Sequence, residues 1–221
     1  MLNKITKKLK SQIDLLKYLN LGHISKISII ISALKYLMTR KKIFHGIPLE
    51  LYGTRNIHLK YNSKILIGLK FIGFQSPRDR SIIRCDGSIF INGDISIGGN
   101  TRIHIEKNAI ANFGCNTSIN NDSLILIRNK LEIGNNVAIS WSCRIYDTDF
   151  HQIENSKINE EVIIGNNVWI GSGVTILKGS KIPNGCVIAC NSVINEKFTE
   201  ENCLIGGIPA KILKKNIKWR R

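Results

Sequence analysis

Isoleucine recurs at every sixth position over long stretches of this chain. A period of six fits neither the 3.6-residue turn of an α-helix nor the two-residue alternation of an ordinary strand. It fits a short strand and a turn, repeated, with each anchor side chain pointing into a narrow prism. The anchors are Ile91, Ile97 and Ile103; Phe113, Ile119 and Ile125; Ile133, Ile139 and Ile145; and Ile164, Ile170, Ile176, Ile182, Ile188 and Ile194. Three hexads close one coil of about eighteen residues, and stacked coils share an aliphatic core.

The positions between the anchors agree with this reading. The residue four places after an anchor is usually small or branched, and Cys143 and Cys186 fall in that interior slot. Gly-Asn-Asn follows Ile133 and Ile164, and these residue types tolerate the left-handed backbone of a corner. The six cysteines form no CxxC pair and no zinc-like Cys/His cluster, so free thiols are expected.

The net charge of +16 is concentrated at the two ends of the chain. Residues 1–45 carry a net charge of +9 and residues 211–221 carry +6, which leaves +1 for the body between them. The basic runs hold few aromatic residues that could stack on bases, so nucleic-acid binding is not expected.

Two motifs identify a resemblance, IGNNVWIGSGVTILKGSKIPNGCVIACNSVI (164–194) and GGIPAKILKK (206–215). They resemble the hexapeptide-repeat acyltransferases over roughly residues 50–215. The resemblance implies an all-β, left-handed parallel β-helix, and it alone supplies the hand. We expect a basic, partly helical extension (1–45), the catalytic β-helix (46–210), and a basic tail (211–221) that forms a short helix.

The hexads stop at residues 146–161, and Asp147, Asp149 and His151 lie there at alternate positions. Two carboxylates and an imidazole could bind a metal, could form an ordinary solvated loop, or could supply a catalytic base. Imidazole suits removal of a proton from an alcohol near neutral pH, and a carboxylate can fix its tautomer. Residues alone leave the three readings open.

The resemblance favours the base. Galactoside- and maltose-type acetyltransferases of this family have their catalytic histidine just before an IGNNVWIG segment, where His151 stands. Their pattern also implies Asn112 near the reacting centre and Asp122 as an acceptor-binding acid. Proline follows the histidine in those relatives, whereas Gln152 follows it here.

The resemblance further implies acetyl-CoA as donor, no required metal, and a homotrimer with active sites between subunits. The positions of this sequence that match the coenzyme A groove of the family are Ser172, Ala189, Cys190, Lys211, Lys214 and Trp169.

A helical apolar pattern precedes the β-helix. The apolar positions are Ile24, Ile27, Ile31, Leu34 and Met38, and lysines and arginines surround them. This pattern indicates either an interfacial helix on anionic lipid or a helix packed on the β-helix end or on another subunit. We expect a cytoplasmic protein, with peripheral contact to the inner face of the membrane as one alternative.

The expected function is O-acetylation of a sugar hydroxyl in a bacterial surface polysaccharide, which is an O-antigen, a capsule or an exopolysaccharide. Contact of the protein with the membrane would suit an acceptor saccharide that is linked to a lipid. The alternatives are N-acetylation of an amino sugar or antibiotic on the same fold, and a non-catalytic β-helix scaffold.

Overall fold

Each hexad forms a strand of two to five residues and then turns, because its anchor and the small residue after the turn both point inward. The computed structural model describes residues 26–39, 41–60, 62–69 and 75–221. In these residues, helix α1 (Lys26–Thr39) is followed by a left-handed parallel β-helix. A 3-10 turn occupies Thr54–Asn56.

The strands, in chain order, are β1 (Ile43–His45), β2 (Leu49–Tyr52), β3 (Ile57–Leu59), β4 (Ile65–Ile67), β5 (Ser81–Cys85), β6 (Ser88–Ile91), β7 (Ile95–Ile97), β8 (Arg102–Ile105), β9 (Ile110–Phe113), β10 (Thr117–Ile119), β11 (Leu124–Ile127), β12 (Lys130–Ile133), β13 (Ala138–Ile139), β14 (Arg144–Tyr146), β15 (Val162–Ile164), β16 (Trp169–Ile170), β17 (Thr175–Ile176), β18 (Lys181–Ile182), β19 (Val187–Ile188), β20 (Val193–Ile194), β21 (Leu204–Gly207) and β22 (Ala210–Lys214).

The strands build three sheets, one for each face of a triangular prism. Sheet A has the order β1-β4-β7-β10-β13-β16-β19-β21-β22, sheet B has β2-β5-β8-β11-β14-β17-β20, and sheet C has β18-β15-β12-β9-β6-β3. Three edges join the sheets. We call them the AB edge (120–123, 140–143, 171–174, 189–192), the BC edge (106–109, 128–129, 146–161, 177–180) and the CA edge (114–116, 134–137, 165–168, 183–186).

The anchors form the core, as the six-residue period predicts. Every isoleucine anchor is buried, and so are Phe113 and the two interior cysteines, Cys143 and Cys186. The predicted corners also occur, since Asn136 and Asn167 have φ of 57° and 54°. Burial raises the pKa of the Cys143 thiol to about 11, so it acts as a small apolar side chain.

The two ends differ from each other and from expectation. The predicted C-terminal basic helix is wrong, because Ala210–Lys214 is a strand that pairs antiparallel with β21 at the end of sheet A. The open edge of that sheet offers hydrogen bonds that outweigh the helix propensity of the segment. At the other end, α1 packs on β1, and the lysines at positions 4–17 lie outside the described residues. No helix among the described residues is long and apolar enough to cross a bilayer.

Candidate active site

The interruption at 146–161 is a loop on the BC edge, as predicted. It leaves sheet B after Tyr146 and enters sheet C at Val162. Its limbs pair as a short antiparallel hairpin through the bridge between Thr148 and Asn159, and Asp149 donates its N–H to the carbonyl of Ile158 at 3.0 Å. The loop is therefore an ordered projection from a rigid scaffold.

Asp147 anchors the base of this loop. Its carboxylate is buried and accepts the backbone N–H groups of Arg128, Asn129 and Lys130, each at 2.7 Å. Burial raises the pKa of Asp147, while the three N–H donors act in the opposite direction. Both carboxylate oxygens are thus engaged by the preceding turn of the BC edge rather than by His151.

Asp149 is held by a lysine. Its carboxylate lies 2.6 Å from the Lys178 ammonium, which also donates to the carbonyl of Lys157 on the other limb. A single ammonium from the following coil therefore fastens both limbs of the loop. Neither aspartate that sequence reasoning placed beside His151 is hydrogen-bonded to it in the described chain.

His151 lies near the tip of the loop with its side chain exposed. The residue before it, Phe150, has φ of 61° and donates its N–H to Thr148 Oγ1 at 3.0 Å. The Arg128 guanidinium lies 5.7 Å from the Phe150 ring centroid and also pairs with Glu106 at 2.9 Å. Among the described residues no side chain hydrogen-bonds the imidazole, and the side chain is exposed to solvent.

Asn112 lies on β9, near the middle of sheet C, and donates its Nδ2 hydrogen to Glu132 Oε1 at 2.8 Å. In the register of sheet C, Asn112 lies beside Phe90 on the neighbouring strand, and Phe90 lies beside His58 on the strand after that. These two rings stack with their centroids 4.8 Å apart and an interplanar angle of 19°. Sequence reasoning missed this pair, although the hexad register, extended back to β3, would have aligned it with Asn112.

Four of the other predicted residues lie along the AB edge. Asp122 is exposed there and accepts a hydrogen bond from Asn100 at 2.7 Å. Ser172 lies two coils further on, and its carbonyl accepts the N–H of Asn191, next to Ala189 and Cys190. Asp122, Ser172, Ala189 and Cys190 thus line one edge, whereas the His151 loop lies on another.

β22 places Lys211 near the end of the AB edge, whereas Lys214 pairs with Leu204 at the CA side of sheet A. Lys211 pairs with Gly206, and the following Gly207 donates its N–H to Ser192 Oγ at 3.1 Å. Lys211 and Lys214 are both exposed.

Trp169 faces outward from sheet A, and its indole N–H donates to Ser140 Oγ at 3.2 Å. The ring of Trp219, from the C-terminal tail, lies 6.1 Å from it. Trp169 therefore lines the outer surface between the AB and CA edges. The described residues contain no group of three or more His, Cys, Asp or Glu side chains placed to bind a metal.

Residues 161–196 match the family model described as bacterial transferase hexapeptide (six repeats). The chain is 31% identical over 188 residues to an uncharacterized 24.8 kDa protein in the cps region of Klebsiella pneumoniae, and the match covers 83% of this chain and 84% of that one. The chain belongs to the hexapeptide-repeat acyltransferase family. A further family member, named "Putative lipopolysaccharide biosynthesis O-acetyl transferase WbbJ" in Escherichia coli (strain K12), is 31% identical over 60% of this chain and 74% of its own.

The fold comparison agrees with the sequence comparison. The crystal structure of the polysialic acid O-acetyltransferase OatWY matches this hexapeptide-repeat protein with a TM-score of 0.58 and 29% identity, over 81% of this chain and 87% of that one. The family and the fold class predicted from the hexads and the two motifs are confirmed.

Proposed function

We propose that this acyltransferase moves an acetyl group from acetyl-CoA to a hydroxyl of a saccharide in a bacterial surface polysaccharide. The names of its relatives support this acceptor class, since one is assigned to lipopolysaccharide biosynthesis, one lies in a cps region, and one O-acetylates polysialic acid. The two names that state an activity, those of WbbJ and OatWY, both describe an O-acetyltransferase.

The observation that carries the proposal is the exposed imidazole of His151 on a loop fastened to the prism by Asp147 and Lys178. His151 removes the proton of the acceptor hydroxyl as its oxygen attacks the thioester carbonyl carbon. The tetrahedral oxyanion collapses, the C–S bond breaks, and the imidazolium returns its proton to the leaving thiolate. The acetyl group passes directly to the acceptor, and no acyl-enzyme forms.

The separation of the site residues supports a homotrimer. His151 lies on the BC edge, and Ser172 with Cys190 lies on the AB edge, so one prism does not bring them together. In a parallel trimer the BC edge of one subunit faces the AB edge of the next, which closes a groove between two chains. The pantetheine arm would lie along Ser172, Ala189 and Cys190, with Lys211 near the phosphates.

Sheet C supplies the acceptor side of this groove. Asn112 offers a polar contact to sugar hydroxyls, and the half-exposed Phe90 ring beside it offers an apolar face to the C–H side of a sugar ring. Asp122 would reach the acceptor from the neighbouring subunit.

The test is acetyl transfer by the purified chain. Free coenzyme A thiol is measured with acetyl-CoA and a panel of surface oligosaccharides, and the product is treated with mild base, which cleaves an O-acetyl ester and leaves an N-acetyl amide intact. We expect base-labile acetylation that falls by several orders of magnitude in His151→Ala.

His104→Ala is the matched control, since His104 is a partly exposed histidine on sheet B that pairs with Asp86 at 3.1 Å. Near-normal turnover in His151→Ala, or an equal loss in His104→Ala, would refute the assignment of the base. Base-stable product would move the acceptor to an amine.

A further inference from the structure

Helix α1 presents an aliphatic stripe to solvent. Ile27, Ile30, Ile31 and Leu34 are 70%, 60%, 39% and 55% exposed. Their spacing places them on one face of the helix, within an arc of roughly 100°. Four large aliphatic side chains side by side on the surface form a patch of the kind that marks an interaction site.

The opposite face of α1 attaches the helix to the β-helix. Ser28 and Ser32, one turn apart, are each only 4% exposed. Ser32 Oγ donates to the carbonyl of His45 at 3.1 Å and accepts the His45 N–H at 2.8 Å. A surface helix of a globular protein ordinarily buries its apolar side. Here the small polar side is buried, so the aliphatic stripe faces away from the β-helix core.

The sequence that leads into α1 and includes it is strongly basic. Residues 1–45 carry a net charge of +9 in the sequence. In the described structure, Lys42 and Lys60 line an open pocket of about 470 Å³ at the first coil, beside the strand on which α1 packs. An exposed aliphatic stripe and a positive field at one end of a protein are complementary to an anionic lipid surface.

We propose that α1 is an interfacial helix that inserts its aliphatic stripe into the surface of an anionic phospholipid bilayer and holds the first coil of the β-helix against it. Fourteen residues of helix extend only about 21 Å, so α1 lies along the surface. A second copy of the chain would cover the stripe but would bring two segments of like charge together, whereas anionic headgroups neutralise that charge. The membrane is therefore the better occupant.

The experiment is flotation of the full-length chain with vesicles on a density gradient. One set of vesicles contains phosphatidylglycerol and phosphatidylcholine, and the other contains phosphatidylcholine alone. The test variant is Ile27→Ser/Leu34→Ser. Both wild-type side chains are exposed, and their removal leaves the Ser32–His45 contacts in place. The matched control is Ile110→Ser/Leu213→Ser, which removes two exposed aliphatic side chains from β9 and β22.

We expect the wild-type chain and the control to float with the anionic vesicles, to remain unbound with phosphatidylcholine alone, and to dissociate at high salt. The bound fraction of the helix variant should fall at least tenfold. Equal flotation of the helix variant and the wild type would overturn the proposal, as would failure of the wild type to float. Unchanged flotation together with a smaller oligomer by sedimentation would assign the stripe to a contact between subunits.

Discussion

The buried carboxylate of Asp147 accepts the backbone N–H of Arg128 at 2.7 Å, across the gap between two successive turns of the BC edge. The N–H groups of Asn129 and Lys130 complete the set. We expect Asp147→Ala to lower the free energy of unfolding by about 3 kcal/mol, because it leaves buried donors unpaired. Asp147→Asn keeps one acceptor oxygen and should lose about half as much. Urea denaturation measures both changes.

The same pair of variants tests whether Asp147 acts on His151. A residue that only anchors the loop should leave the pH dependence of kcat/KM unchanged in Asp147→Asn, under conditions where the variant is folded. A shift of about one pH unit or more in that profile would return Asp147 to the catalytic group.

Lys178 should position the loop rather than stabilise the fold. Lys178→Met removes its contacts with Asp149 and with the Lys157 carbonyl, so we expect kcat to fall about ten- to a hundredfold through misplacement of His151. The free energy of unfolding should change by only about 1 kcal/mol, as is usual for a partly exposed ion pair. Lys181→Met, which changes an exposed lysine on sheet C, is the control and should retain full activity. Equal kcat values in the two variants would argue against a positioning role.

A site shared between subunits predicts complementation. His151→Ala and Cys190→Trp should each be inactive as homotrimers, the first without the base and the second with a blocked groove. In trimers mixed at equal amounts, a site is intact when its base comes from a Cys190→Trp chain and its groove from a His151→Ala chain. This arrangement should restore about a quarter of the wild-type rate. Mixed trimers with no activity would show that each chain builds its site alone.

The cysteines should differ sharply in reactivity. Burial raises the pKa of Cys143 to about 11, so only about a thousandth of this thiol is ionised at pH 8. Cys190 is exposed on the AB edge. We expect a thiol reagent at pH 8 to label Cys190 and to spare Cys143, as read by peptide mass spectrometry. Acetyl-CoA should slow the labelling of Cys190, and labelling at the same rate with and without acetyl-CoA would contradict the placement of the groove.

The β-helix was predictable because a six-residue repeat of apolar residues corresponds to one strand and one turn, with every sixth side chain pointing inward. The roles of Asp147 and Asp149 were not predictable from alternation. Alternation holds only while the backbone is extended, and the positive φ of Phe150 turns the chain just before His151. The partners of the two aspartates, Arg128 and Lys178, come from neighbouring coils, and the sequence around the aspartates does not indicate these contacts.

The N-terminal helix shows a similar limit. Its apolar spacing predicted a helix, and α1 spans Lys26–Thr39. The spacing could not say which face would meet the prism, because that depends on what the first coil offers. The carbonyl and the N–H of His45 both need a hydrogen-bond partner, and the hydroxyl of Ser32 donates to the first and accepts from the second.

The C-terminal tail runs back along the CA edge and touches coils that do not touch one another. Ile217 donates its N–H to the carbonyl of Asn202, the Trp219 indole N–H donates to Asn167 at 2.8 Å, and Arg221 reaches the carbonyl of Asn116 at 2.6 Å. In a solenoid each repeat contacts only its neighbours, so the end coils can fray one at a time. Here the last coil cannot unfold together with the tail unless the contacts of the tail with Asn167 and Asn116 are also broken. The tail thus couples the melting of the final coils to that of the coils carrying the His151 loop, and the part of the β-helix from Asn116 onward should unfold as a cooperative unit.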